Sequence, residues 1–184
     1  MTDLVFLHSD ESLWLEGESC TGFLKPYKSQ RYAFAALLPA EGTTPEQLAA
    51  SLDGGTLHGI LADRKYEDVA TSIPKFKVEY GAELKDLLED MGMPLAFGQT
   101  ADFSGLGNSQ MGPIHIGSVA HKTFLELDEQ GTKAAADTAL ELEATSCAPE
   151  EIREIILDRP FLYMLVDIRE NGPFFLGIMN DPAA

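Results

Sequence analysis

Basic residues are scarce in this chain. Thirteen Lys and Arg stand against 30 Asp and Glu, a formal net charge of −17 at pH 7. Nucleic-acid binding draws its affinity from clustered Lys and Arg that release counterions, so the balance argues against a nucleic-acid partner. It argues equally against an anionic membrane surface. The acidic excess keeps the chain soluble and favours partners with basic surfaces. Cysteine is also sparse. Cys20 and Cys147 are too few for a disulfide framework; one bridge is the most they can form, and two free thiols are the expected state. No apolar run reaches the ~18 residues of a membrane span. The opening MTDLVFLHSDE has no basic start followed by an apolar stretch, so no signal peptide is visible.

Motifs for catalysis are lacking too. His8, His58, His115 and His121 are scattered, with no H-x-x-x-H or C-x-x-C pair, so neither a zinc site nor another cofactor is expected. The segment ADFSG holds Asp102 where a nucleophile elbow needs glycine ahead of Ser104. There is no Walker or dinucleotide glycine pattern. Carboxylate pairs such as Asp128-Glu129 are what a strongly acidic surface produces by itself. The sequence therefore argues against an enzyme.

What is present is an ordinary globular composition. With 184 residues and 45% hydrophobic content, one or at most two domains with a real core are expected. Residues 2–7 and 30–38 read as strands. Residues 42–53 read as a helix, with Thr44 as N-cap, Pro45 at the first helical position, Gln47 closing a capping box, and Gly54-Gly55 as its end. Residues 66–80 read as a long extended segment whose apolar phase switches at Pro74, from Val69, Thr71 and Ile73 to Phe76, Val78 and Tyr80. That switch predicts a bulge or a change of sheet. A helix over 81–91 would carry Leu84, Leu87, Leu88 and Met91 on one stripe. Residues 98–112 read as a loop, and 113–128 as extended, with Thr123, Leu125 and Leu127 on one face. Residues 161–168 and 174–179 read as a hairpin turning at Asn171-Gly172. Strands and helices without regular alternation define an α+β protein.

The most informative stretch is HKTFLELDEQGTKAAADTA, residues 121–139. Alternation of apolar and charged residues runs to Glu129, Gly131-Thr132 follow, and then almost nothing but Ala and Thr. As a strand, residues 132–139 would put Thr132, Ala134, Ala136 and Thr138 on one uniformly small face, and the charges on the other. The competing reading is a surface helix, with Ala135, Ala139 and Leu142 spaced i, i+4, i+7.

These residues resemble the reactive-loop hinge of the serpins, the serine protease inhibitors. Three other stretches agree in order and spacing. IPKF at 73–76 is similar to the family's Pro-Lys-Phe strand, and MGMPLAFGQTADFSG at 91–105 to its Gly-Met…Ala-Phe…Asp-Phe-Ser-Gly segment. DRPFLYMLVDIRENGPFFLGIMNDP at 158–182 is similar to its C-terminal hairpin and ending. HSDESLWLEGESCTGFLKPY…YAFAALLP resembles the bacterial branch. The resemblance covers nearly the whole chain but only the C-terminal half of the family's fold. A large N-terminal half, with most helices, several strands of the main sheet and a conserved Trp strand, has no counterpart, and Trp14 does not stand in for that Trp. A fragment, a pseudogene product and a miniature relative all fit, and Met1 fits an internal position of a longer reading frame.

The resemblance implies a partial serpin domain over 1–184, with mixed and antiparallel sheets, a few helices and an exposed reactive loop at about 129–149. It implies inhibition of a serine protease as a suicide substrate. The protease cleaves the loop, and the hinge then inserts into the main sheet as a new strand. Counting from hinge residue Glu129 places the scissile bond between Thr145 and Ser146; Leu142, Ser146 and Cys147 are the alternative specificity residues. A small residue there suits an elastase- or subtilisin-like pocket. By resemblance, Glu129 pairs with Lys75, and His121 lies under the opening sheet. By resemblance the location is extracellular, with a cytoplasmic one as the alternative because no signal peptide is visible. Self-association through exposed sheet edges follows from a truncated sheet. The alternative is a truncated or non-inhibitory relative that proteases cut or that only binds a partner.

Overall fold

Twelve residues of alternating character, Phe6–Gly17, form the first strand, β1, and a two-residue turn at Glu18-Ser19 sends the chain back as β2 (Cys20–Pro26). The computed structural model describes residues 5–107, 109–110, 112–128 and 152–182. β3 (Tyr32–Pro39) follows, then the helices α1 (Pro45–Ser51) and α2 (Gly54–Ala62), and the strands β4 (Lys65–Pro74) and β5 (Phe76–Glu83). The remaining elements are α3 (Lys85–Asp90), a 3-10 turn at Pro94–Phe97, β6 (Ala120–Leu127), β7 (Arg153–Ile156), β8 (Phe161–Asp167) and β9 (Gly172–Met179).

The chain divides into two compact units, one running to Phe76 and resuming at Leu127, the other Lys77–Glu126. The first is a seven-stranded sheet in the order β7-β4-β1-β2-β3-β8-β9. All neighbours are antiparallel except β4 and β7, which run parallel. Its two faces differ in chemistry. One is aliphatic: Leu13, Leu15, Leu24, Leu37, Leu162 and Met164 pack with Leu48 of α1 and Leu57, Ile60 and Leu61 of α2. The other is aromatic, with Phe23 and Phe34 at 6.4 Å, Phe76 and Tyr163 at 5.2 Å, and Tyr163 and Phe175 at 6.2 Å between ring centroids.

A register shift between Glu11 and Leu13 divides β1. Before it Glu11 faces Val69, and after it Trp14 faces Lys65. Across the shift β1 advances by three residues and β4 by four, from Val69 to Lys65, so Trp14 continues the face of Glu11 while Leu13 turns to the aliphatic core.

The expected helix is shorter than predicted, ending at Ser51, but it starts as predicted. Thr44 Oγ1 accepts the Gln47 N–H and Gln47 Oε1 accepts the Thr44 N–H. Gly54-Gly55 do not end the helical region; they open α2, which Asp53 caps by accepting the Thr56 N–H at 2.7 Å. The stripe of Leu57, Ile60 and Leu61 outweighs three glycines of poor propensity, Gly54, Gly55 and Gly59. The phase switch at Pro74 is a change of sheet: β4 belongs to the large sheet and β5 to a two-stranded one.

In the second unit, β5 pairs with β6. Lys77 meets Phe124, Gly81 meets His121 and Lys122, and the Leu84 N–H donates to the Val119 carbonyl, so the two strands run antiparallel. The predicted helix over 81–91 is confined to α3, because the strand continues to Glu83. Within this unit, among the described residues, only Phe97 and Leu125 are buried. Tyr80, Leu87, Met91, Leu95 and Phe124 are exposed.

Gly177 of β9 faces Tyr163 of β8, and a Cβ there would lie 2.4 Å from the ring. The ring is buried among Phe76, Phe161 and Phe175. Gly177→Ala is expected to cost about 1–3 kcal/mol by overpacking, read from the midpoint of chemical denaturation. Tyr163→Leu in the same chain should remove much of the added penalty, a non-additivity that two independent defects would not show. The Thr56 backbone N–H, with its hydroxyl, holds the Asp53 carboxyl below the usual carboxylate range. Its cap is therefore complete at neutral pH and is lost as pH falls through that lowered range. Asp53→Asn should leave stability near pH 7 almost unchanged and flatten its decline in acid, as followed by thermal unfolding at several pH values.

Candidate functional site

The resemblance places the working segment between β6 and β7, and the two strands that flank it are built differently. β6 alternates, with Leu125 buried, Thr123 and Leu127 half-buried, and His121, Phe124 and Glu126 exposed. Among the described residues its only strand partner is β5, which leaves the other edge of β6 without a neighbouring strand. β7 is four residues long and pairs in parallel with β4, from Val69 opposite Arg153 to Ser72 opposite Ile156. Ile155 is its buried anchor.

A polar network crosses β1, β2 and β4 of the large sheet. Lys25 and Glu11 form an ion pair with both side chains more than nine-tenths buried. The Lys25 ammonium also donates to Ser9 Oγ at 2.8 Å, Ser9 Oγ donates to Glu11 Oε1 at 2.7 Å, and Thr71 Oγ1 donates to the Ser9 carbonyl at 2.8 Å. The two charges are thus paired and hydrogen-bonded, the condition for tolerating them in the interior. Nothing in the linear sequence marked this network, because its members are distant and Lys25 reads as an ordinary surface lysine. A serine beside a lysine is a nucleophile only if the amine can take a proton, and Glu11 binds this ammonium as a counterion. Cys20 is no better placed: burial pushes its thiol up, away from the reactive thiolate. Among the described residues no group of three His, Cys, Asp or Glu is close enough to hold a metal ion.

Of the predicted site residues, Glu129, Gly131, Thr132, Ala134, Ala136, Thr138, Leu142, Thr145, Ser146 and Cys147 lie outside the described residues, as does the whole segment 129–149. Lys75 sits at the junction of β4 and β5, half-buried, and its backbone N–H donates to the Val5 carbonyl at 3.0 Å. His121 lies near the start of β6 with its side chain exposed. The two belong to different units.

A family model described as Serpin (serine protease inhibitor) matches residues 8–182. This chain belongs to the serpin family. It is 35% identical to a serpin-like protein of Thermococcus kodakarensis over 171 residues, which are 92% of this chain and 39% of that protein. It is 37% identical to Serpin-Z1C of Triticum aestivum, covering 96% of this chain and 46% of the wheat protein. Iripin-2 of Ixodes ricinus is 33% identical over 84% of this chain and 38% of its own length. The crystal structure of the thermophilic serpin tengpin in its native state superposes with a TM-score of 0.82 at 38% identity, over 96% of this chain and 46% of tengpin. Tengpin in its latent state gives 0.76. The chain therefore spans less than half the length of these relatives, and within that span the fold is the serpin fold.

Lys25→Met would leave the Glu11 carboxylate buried without its cation, at an expected cost of about 3–5 kcal/mol. Adding Glu11→Leu should recover most of that loss. A denaturation series of the wild type, both single variants and the double variant gives the coupling directly.

Proposed function

We propose that this chain is the reactive-loop part of a serpin that inhibits a serine protease. The observation that carries the reading is the serpin match over residues 8–182, and the small-residue run 131–139 falls in sequence between β6 and β7. In this reading the segment 129–149 is offered as a substrate. The protease's serine oxygen attacks the Thr145 carbonyl carbon and the bond to Ser146 breaks. The new Ser146 amine takes the proton, and an ester joins Thr145 to the protease. Water must attack that ester to free the enzyme. Insertion of the hinge beside β6, with Thr132, Ala134, Ala136 and Thr138 facing inward, comes first and traps it. The small face needs no desolvation of charge, and Gly131 absorbs the backbone change. Leu142, Ser146 and Cys147 are the other residues that fit the position before the cut. Glu129 pairing with Lys75 would hold the hinge before cleavage. The reading places the inhibitor outside the cell, against an elastase- or subtilisin-like enzyme, with no nucleic acid, membrane, metal or cofactor involved.

A second reading has its own support. The chain spans less than half of its relatives, and among the described residues β6 has a strand on one side only. Insertion needs a strand on both sides. A chain of this length would then be cut without trapping, or would supply the second side from another copy.

The purified chain mixed with an elastase- or subtilisin-like protease separates the readings. A band near the summed masses that survives boiling in detergent establishes the trap. Two fragments cut near Thr145, with the protease still active, establish a substrate only. If a trap forms, Ala134→Arg should shift the outcome from complex to cleaved chain by at least about tenfold, since an unpaired buried charge costs several kcal/mol.

A further inference from the structure

Among the described residues, β7 is the outermost strand of the large sheet and pairs with β4 alone. It has four residues and the parallel pairing that is slightly weaker per residue. A ladder this short does not hold a strand unaided. Side chains therefore decide whether it stays, and Ile155 supplies one buried contact.

The second contact is charged. With Trp14 opposite Lys65 and Val69 opposite Arg153, residues 14, 65, 67, 69 and 153 share one face of the sheet. On that face the Arg153 guanidinium carbon stands 4.5 Å from the centroid of the Trp14 ring, and its Nε donates to the Glu67 carboxylate. The ring is 5% exposed and the Arg153 side chain that covers it is 42% exposed, so the cation shields a buried platform, the ring face, while its own head stays in contact with water. Trp14 Nε1 is buried without a hydrogen bond of acceptable geometry. Its N–H still helps, weakly, to keep the Glu16 carboxyl low, behind the stronger effects of Lys65 and Arg153. The pair Lys65–Glu16 borders the platform and adds no direct tie to β7.

We infer that Arg153 is the clip that holds β7 on the sheet. It joins three strands through one side chain: its own, β4 through Glu67, and β1 through Trp14. Only a flat guanidinium does both at once, stacking on the ring while donating in its own plane to a carboxylate. β7 is the first described element after residues 129–151. Arg153 therefore holds the strand with which the described chain resumes in the large sheet. The inference concerns the large sheet and holds whether or not the segment inhibits a protease.

Trp14 is the chain's only tryptophan, so its fluorescence reports on the clip without a label. Hydrogen exchange of the full chain, read by mass spectrometry, reports on the strand. Arg153→Ala is expected to speed exchange in 153–156 by about tenfold or more, leave 161–167 within about twofold, and open Trp14 to quenching by acrylamide. Arg153→Lys keeps the ion pair and loses the stack, and Glu67→Gln does the reverse. Each should fall between wild type and Arg153→Ala, and Glu67→Gln serves if the alanine variant does not fold. Unchanged exchange in 153–156 with unchanged quenching would overturn the inference. So would equal acceleration in 153–156 and 161–167, which would make Arg153 a general stabiliser and not a clip.

Discussion

Much of the large sheet depends on a one-residue register shift between β1 and β4. β1 is hydrogen-bonded on both sides, to β2 and to β4, so its alternation must satisfy two neighbours. Between Glu11 and Leu13 the register with β4 shifts. Without the shift Leu13 would join Glu11 on the face of the ion pair, and Trp14 would enter the aliphatic core beneath α1 and α2. With it, Leu13 and Leu15 reach that core while Ser9, Glu11 and Trp14 line up on the opposite face. The buried ion pair and the tryptophan platform both exist because of that displacement.

The few cations are placed where the chain closes on itself. Lys25 meets Glu11 across β1 and β2, and Lys65 meets Glu16 across β1 and β4. Arg31 meets Asp167 at 2.9 Å, and Arg159 donates to the Pro39 carbonyl at 2.7 Å. Arg64 joins the end of α2, through the Leu61 carbonyl, to Asn171 in the β8–β9 turn. Asp167 shows the resulting balance: burial pushes its carboxyl up, and the Arg31 guanidinium with the Arg169 N–H outweighs that and holds it below the usual range. Exposed pairs of this kind stabilise little one by one. Their value here is in register, since each ties residues far apart in sequence to a single alignment.

The sequence was most legible where a signal is local. The capping box at Thr44 and Gln47 and the turn at Asn171-Gly172, where Asn171 adopts a φ of 47°, were readable without tertiary knowledge. So was the break at Pro74, read as a bulge or a change of sheet, and the structure makes it the latter. β2 was not legible, since it is buried on both faces and shows no period of two. α2 hid behind two glycines, and β7 behind its brevity and acidic surroundings. For the candidate site, alternation exposed the small face of 132–139 but could not choose strand over helix; the family resemblance did that. The partners of Trp14 and Lys25 were invisible because they come from strands brought together only by folding.

Seen as a process in time, the sheet order has a cost. β3 stands near the middle of the large sheet, yet its neighbour β8 is drawn from the far end of the sequence, and the Arg31–Asp167 tie spans 136 positions. During synthesis the hairpin of β1 and β2 and the strand β3 emerge well before β8, with one edge of β3 lacking its partner. That edge waits, with its backbone groups open, until residues 161–167 leave the ribosome. Long-range strand pairing of this kind is slow and prone to error. The interval between β3 and β8 is therefore the period in which a nascent chain is most open to pairing with the wrong strand.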